Sequence, residues 1–364
     1  MATVFYVIAA IFLLGVMVTI HELGHFMAAR LTGIPVKEFA IGFGKKILSW
    51  KSKKYETVFF LRMIPAGGYC MFYGEDDVQE KEKSDPRNIA NHKVWKRMLT
   101  ILMGPVMNFV LALVVAAGLY AVLGEPVREY GYAVIDSVNE GSPAEEAGIL
   151  AGDKIIAVNG VEAKGLNEEQ TGYAVQKLIS VYKEGEPPLE ITLLRGEKRI
   201  DTSVIPIYDE AEKRPLMGVG LIGEYSVNYV PAPFFRAVKL GADYCVRAGG
   251  AILEGLGKMI TTGEGFSESS GPVGIVQLIA EETQESGLTT YLELLVVISV
   301  NLGLFNLIPI PGLDGSRLVF LAIEGIRRKP VPQKVEAYVH MAGYLLLIGL
   351  MIVMTFKDVI NIFR

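Results

Sequence analysis

Cysteine is nearly missing from these 364 residues: only Cys70 and Cys245 occur. Two isolated thiols cannot build a disulfide framework, and two small buried side chains are expected instead. Histidine is sparse as well, with His21, His25, His92 and His340 the full set. Basic charge never gathers into a stripe. With 35 Lys+Arg against 40 Asp+Glu the net charge is −5, which excludes a nucleic-acid partner bound through its phosphates. Internal repeats and low-complexity tracts are lacking too, and without an inverted repeat a transporter or channel has little support.

Apolar residues are plentiful. The chain is 51% hydrophobic with a mean hydropathy of +0.36, too apolar for an average soluble globule. Four windows free of Asp, Glu, Lys and Arg are long enough to cross a bilayer: Met1–Ile20, Met98–Gly124, Leu294–Leu313 and Ala337–Phe356. The first has neither the basic start nor the small-x-small end of a signal peptide, so it is kept as a span. Residues 30–97 carry fourteen Lys/Arg and residues 314–336 five more. Excess Lys/Arg marks the cytoplasmic side. Both termini and the long 125–293 segment are therefore expected outside, in a multi-pass protein of the inner or plasma membrane.

Between the first two spans, VKEFAIGFGKKILSWKSKKYETVFFLRMIPAGGYCMF reads as strands, because Gly42, Gly44, Pro65, Gly67 and Gly68 break any helix. It is apolar for a cytoplasmic loop. A β-hairpin dipping into the membrane, over residues 35–75, is viable only where protein or a wet cavity covers its backbone. A polar loop follows at 76–97. Residues 127–208 alternate strand patterns with a turn and a short helix, as in a small α+β domain. Residues 209–290 read as interfacial, amphipathic helices. The remaining expectations are a third transmembrane helix over 291–315, a cytoplasmic helix over 316–334 and a fourth span over 335–358.

HELGH ends the first span, which covers 1–34 with its flanks. On a helix His21 and His25 lie four apart on one face. That spacing suits two imidazoles on one Zn²⁺, with Glu22 beside them as general base. Catalytic zinc takes three protein ligands. Polar residues at membrane depth are costly and functional by default, and Asp314 closes the third span. The first and third spans run the same way, so Asp314 falls at the same cytoplasmic end as the two histidines. Asn301 and Asn306 lie inside the third span, where they bond to substrate or to unwound backbone, or act as helix–helix glue. Pro309 and Pro311 remove helical N–H groups, so the span is expected to unwind near Pro309. His92 reads as solvated, His340 as packed in the bundle, and Asp153 as a turn former.

Three stretches together resemble the signatures of the site-2 protease family of intramembrane zinc metalloproteases. They are His21-Glu22-Leu23-Gly24-His25, Gly104-Pro105-Val106-Met107-Asn108, and the run from Asn306 through Pro309 and Pro311 to Asp314-Gly315. FAIGFG and Gly67-Gly68-Tyr69 are similar to the family's membrane re-entrant β-loop. GSPAEEAGILAGDKIIAVNG resembles a PDZ domain. The bacterial branch that cleaves anti-sigma factors, the regulator-of-sigma-E-protease type, fits best, with one PDZ domain where some members carry two. The resemblance implies a four-helix transmembrane bundle with a re-entrant β-hairpin and an inserted α+β PDZ domain. It also implies zinc on His21, His25 and Asp314, and Glu22 as catalytic base and later acid. Substrate would meet Asn306, Pro309, Gly67, Gly68 and Tyr69. The implied partners are a single-span membrane protein, of anti-sigma-factor type, and the lipid bilayer. The competing reading is a PDZ-bearing membrane scaffold with a non-catalytic metal site.

Overall fold

A computed structural model describes residues 2–54, 56–75, 84–164, 175–210, 212–265 and 269–362. In chain order the elements are α1 (Ala2–Thr32), β1 (Val36–Lys51), β2 (Val58–Phe72), α2 (Val94–Leu123), β3 (Glu125–Val138), α3 (Pro143–Glu146), β4 (Lys154–Val158), β5 (Val161–Glu162), β6 (Leu189–Arg195), β7 (Lys198–Val204), β8 (Ile207–Asp209), β9 (Arg214–Leu216), β10 (Val219–Val230), α4 (Phe234–Thr261), α5 (Pro272–Leu307), α6 (Asp314–Arg327) and α7 (Gln333–Ile362). They fall into two compact units, one of residues 1–123 with 232–364, the other of residues 124–231.

The first unit is a helical bundle around a small sheet. Four of its helices, α1, α2, α5 and α7, are long and apolar enough to cross a membrane. Helices α1 and α2 cross where both carry glycine: a Cβ on Gly24 would strike the Met103 carbonyl. Such small-residue crossings let membrane helices approach closely. Helix α5 is kinked at Gly287 (φ 79°, ψ −159°) and stops at Leu307, because Pro309 and Pro311 cannot continue it. Asp314 therefore does not close the third span as expected. It opens the next helix, α6, across a loop of six residues. Lys96 Nζ donates to the Thr32 carbonyl at 2.6 Å, and Arg97 is ion-paired with Glu324. The end of α1, the start of α2 and the body of α6 thus share one end of the bundle.

The sheet of this unit is richer than a plain hairpin. Strands β1 and β2 pair antiparallel with repeated breaks in register. Val36–Ile41 faces Phe72–Gly68 on one side, and Glu38–Ile41 faces Val58–Leu61 on the other, while Leu48–Lys51 also faces Leu61–Val58. Two strands thereby give four runs, with Gly68–Phe72 at an edge. The backbone at Pro65 sits so close to α1 that a Cβ on Gly15 would collide with it.

The second unit is a twisted antiparallel sheet in the order β10-β3-β4-β6-β7, with β5 on β4. In β6, Leu189, Ile191 and Leu193 point inward and Glu190 outward, the period-2 pattern of a sheet with one buried face. The core joins Ile135, Ile155, Ile191 and Leu193 to Val175 and Ile179 of a helical run at 175–180. Asp153, buried, closes its turn by accepting from the Leu150 N–H at 2.9 Å, and it pairs with Arg195 at 2.7 Å.

The segment expected as helices over 209–290 divides. Arg214–Leu216 and Val219–Val230 form strands instead: β9 pairs with β8, and β10 lies along β3 from Val219–Val138 to Val230–Glu125. The glycines at 218, 220 and 223 mask the Val/Leu/Ile/Tyr alternation that makes β10 a strand. Beyond it α4 is amphipathic. Gly241, Tyr244, Cys245 and Ile252 pack toward α2 and α5, and Lys239, Asp243, Arg247, Glu254 and Lys258 are exposed. Most of the polar loop at 76–88 lies outside the described residues. His92 is half-buried rather than solvated. Both cysteines are free and half-buried.

Candidate active site

The helical spacing of HELGH brings His21 and His25 onto one face of α1, and the turn at Pro309–Leu313 delivers Asp314 to them. His21 Nε2 and His25 Nε2 are 3.2 Å apart, and each faces Asp314 Oδ2, at 3.0 and 3.2 Å. These three are the His/Cys/Asp/Glu group able to hold a metal among the described residues. Bonds of 2.0–2.1 Å in a tetrahedron separate ligands by about 3.3 Å, so the spacing fits Zn²⁺. Both histidines are buried, at 7% and 6% exposure, where three converging polar atoms demand a shared partner.

Protonation fits as well. His25 Nδ1 donates to the Thr100 carbonyl of α2 at 2.9 Å, which leaves Nε2 bare for a metal. His21 Nδ1 lies 3.1 Å from the fully buried Asn108 amide. Asn108 Oδ1 has no partner among the described residues. The two ends of an amide are interchangeable in shape. With the amide turned over, Oδ1 accepts the Nδ1–H of His21 and frees its Nε2. The Asn108 backbone is itself fixed, its carbonyl accepting from Ser299 Oγ at 2.9 Å.

A cavity of about 230 Å³ opens beside this cluster. Glu22, Tyr69, Cys70, Asn306, Asp314 and Arg317 are among its walls. Glu22 faces the sheet edge, 3.6 Å from where a Cβ on Gly68 would stand. Tyr69 donates to Glu38 at 2.8 Å and receives Arg62 at 2.9 Å. Arg317 is ion-paired with Glu75. Asn306 lines the cavity and donates back to the Leu302 carbonyl at 3.0 Å. Pro309, Gly67 and Gly68, expected at the substrate, are not among the walls of the cavity. Pro309 is exposed on the turn, and Gly67 holds a φ of 152° at the bend before the edge run.

Residues 9–350 match the Peptidase family M50. The chain belongs to that family. This M50 peptidase is a zinc metalloprotease of the site-2 protease type and, with its four apolar helices, an integral membrane protein. It is 30% identical to the "Regulator of sigma-W protease RasP" of Bacillus subtilis over 98% of its own length and 99% of the relative's. It is 33% identical to a putative zinc metalloprotease of Clostridium perfringens, over 98% of each chain. A putative zinc metalloprotease of Nostoc sp. is 32% identical over 97% and 95%.

Several residues of the M50 site carry no signal of their own in the sequence. Thr100 acts through a backbone carbonyl. Gly104 faces the two imidazoles, and Glu75 and Arg317 meet from positions 242 residues apart. Asn108 sits in a motif quoted above, but its contact with His21 is tertiary.

Proposed function

We propose that this M50 peptidase hydrolyses a peptide bond within the transmembrane segment of a single-span protein, in regulated intramembrane proteolysis. An anti-sigma factor already trimmed outside the membrane is the substrate class. The observation that carries this reading is a polar cavity holding His21, Glu22, His25 and Asp314 beside a sheet edge, in a bundle of apolar helices. His21, His25 and Asp314 would hold the zinc. When bound, zinc polarises the scissile carbonyl and makes water acidic enough to attack near neutral pH. Glu22 takes the proton of the attacking water on a carboxylate oxygen and returns it to the leaving amine nitrogen.

A transmembrane helix hides its carbonyls in its own hydrogen bonds, so the substrate must unwind before attack. The Gly68–Phe72 edge run supplies replacement backbone partners by strand addition. Gly68 and Tyr69 flank the extended segment, and Asn306 meets it near the scissile bond. Gly67 and Pro309 act indirectly, by shaping the bends on either side. The packing of Pro65 on Gly15, midway along α1, supports a hairpin that enters the membrane. Residues 124–231 serve as the PDZ domain, larger than the 127–208 expected, and screen substrates on the outer side. The basic loops share one bundle end with the site, which supports a cytoplasmic active centre and outward termini.

The deciding experiment compares wild type with Glu22→Gln on a tagged single-span substrate in detergent, with bound zinc measured in both. Zinc in both and cleavage by wild type alone is expected. Cleavage by both would remove Glu22 from the chemistry. A scaffold with a structural metal would show zinc in both and no cleavage by either across a substrate panel.

A further inference from the structure

The loop from Ile308 to Leu313 decides where Asp314 stands. Two of its six residues are prolines and offer no N–H. Ile308 N–H bonds back to Leu304 and Phe305, Ile310 N–H to Ile308 and Leu313 N–H to Ile310. These bonds stay within the loop and the end of α5, so they shape the turn without fixing it to the bundle. The remaining donor, Gly312 N–H, reaches across to α7 and is accepted by His340 Nδ1 at 3.2 Å. Ser316 Oγ, on the first turn of α6, lies 3.5 Å from the same nitrogen. The His340 ring is buried, at 9% exposure, and lies beside the Phe320 ring. Its other nitrogen faces Glu336 at 3.8 Å.

Helix α7 is built around this contact. One turn on from His340, Gly343 meets the Pro311 backbone so closely that any Cβ would collide. Tyr344 and Leu347 press against Gly312, whose φ of 99° suits glycine. Farther along, Asp358 accepts from Gly271 N–H and Gly274 N–H at the start of α5. Between these anchors, Leu345, Leu346, Leu350 and Val353 are exposed. The inward chemistry of α7 is thus concentrated on the loop that carries Asp314 and on the start of α5.

We propose that His340 is a positioning residue, holding Gly312 N–H on its Nδ1 so that Asp314 stands in register with His21 and His25. Ligand placement has a tolerance of about 0.2 Å, and the internal bonds of this turn shape it without tying it to the neighbouring helix α7. This role presupposes the zinc site above, so its test reads metal retention as well as activity.

Purified full-length wild type, His340→Ala, His340→Asn and Gly343→Ala are loaded with zinc and dialysed against graded chelator. Partners that orient metal ligands are worth 10–100-fold in metal affinity. His340→Ala and Gly343→Ala are each expected to lose zinc at about 10–100-fold weaker chelation than wild type. In His340→Asn the side-chain oxygen stands close to where Nδ1 stood and accepts the same N–H. Recovery to within about threefold of wild type is expected, with substrate cleavage returning in parallel. Wild-type zinc retention by His340→Ala would overturn the proposal. So would an Asn variant as weak as Ala, because packing and not the acceptor would then hold the loop. If His340→Ala does not fold, His340→Gln replaces it: its oxygen reaches the other ring position, so zinc held by Asn and lost by Gln supports the role, and equal retention overturns it. Wild type that binds no zinc at all would overturn the metal site together with this role.

Discussion

Gly104 of α2 leaves no room for a side chain beside the two imidazoles. A Cβ built there would stand 2.9 Å from His21 Nε2 and nearer still to His25 Cε1 and Nε2. Ordinary contacts of such an atom begin at 3.4 Å, so Gly104→Ala must displace one imidazole by at least 0.5 Å and the other by more. Zinc sites tolerate deviations of about 0.2 Å, and a misplacement of about 1 Å at a reacting centre can cost on the order of 10²-fold in rate. Neither histidine can retreat freely. His25 is tied to the Thr100 carbonyl and His21 to Asn108. Gly104→Ala should therefore lower zinc occupancy and cut kcat/KM by about 10²-fold or more, although alanine is the better helix former. Gly118→Ala on the same helix is the control, since a Cβ there meets nothing within 4 Å and should be neutral or stabilising by up to about 1 kcal/mol. Zinc content and cleavage of a single-span substrate are measured for both. A Gly104→Ala enzyme with full zinc and wild-type turnover would refute the placement of α2 against the metal site.

Other outcomes follow from the same geometry. Asn108→Leu removes the acceptor for His21 Nδ1–H and should weaken zinc binding by about 10–100-fold, measured by chelator competition, with Asn108→Asp losing less. In the sheet unit of residues 124–231, the Arg195 hydrogen bonds hold the Asp153 carboxyl below its usual range. A carboxylate with a depressed folded-state pKa stabilises above its unfolded pKa and loses that contribution as pH falls through the folded value. Thermal melts should show this unit destabilised on acidification below about pH 4, and Asp153→Asn should be less stable at neutral pH with a flatter acid limb. On the substrate side, replacing helix-breaking Gly or Pro in the cleaved span by Leu should slow cleavage, as followed by gel. Equal rates across the series would contradict the need for unwinding.

The clustering of His21, His25 and Asp314 was legible because its pattern is short-range. HELGH puts two imidazoles on one face by helical periodicity alone, and loop charge puts Asp314 at the same end. The unwinding near Pro309 followed from the missing N–H groups. What escaped is tertiary. No local pattern says that Gly104 must be small for the sake of two imidazoles on another helix, or that Thr100 offers its carbonyl to His25. The sheet edge was expected, but the fourfold folding of β1 and β2 depends on register breaks that alternation cannot encode. Strand β10 was missed because glycines dilute its apolar pattern and its partner, β3, lies about 90 residues upstream. The sequence around His340 shows only a residue packed in the bundle, and its hydrogen bond to Gly312 depends on how α7 sits against the loop.

The long separation of the clustered side chains also has a bearing on biosynthesis. His21 and Asp314 meet from positions 293 residues apart. At 5–20 residues per second of synthesis, roughly 15–60 s pass between the emergence of the histidines and that of the aspartate. During that interval the nascent chain has two imidazoles and a carboxylate in the bilayer but no complete centre. A protease that cuts neighbouring membrane segments is thereby dormant while it is still beside the insertion machinery and other half-made spans. A chain truncated before residue 314 should insert, hold no zinc and leave its neighbours intact.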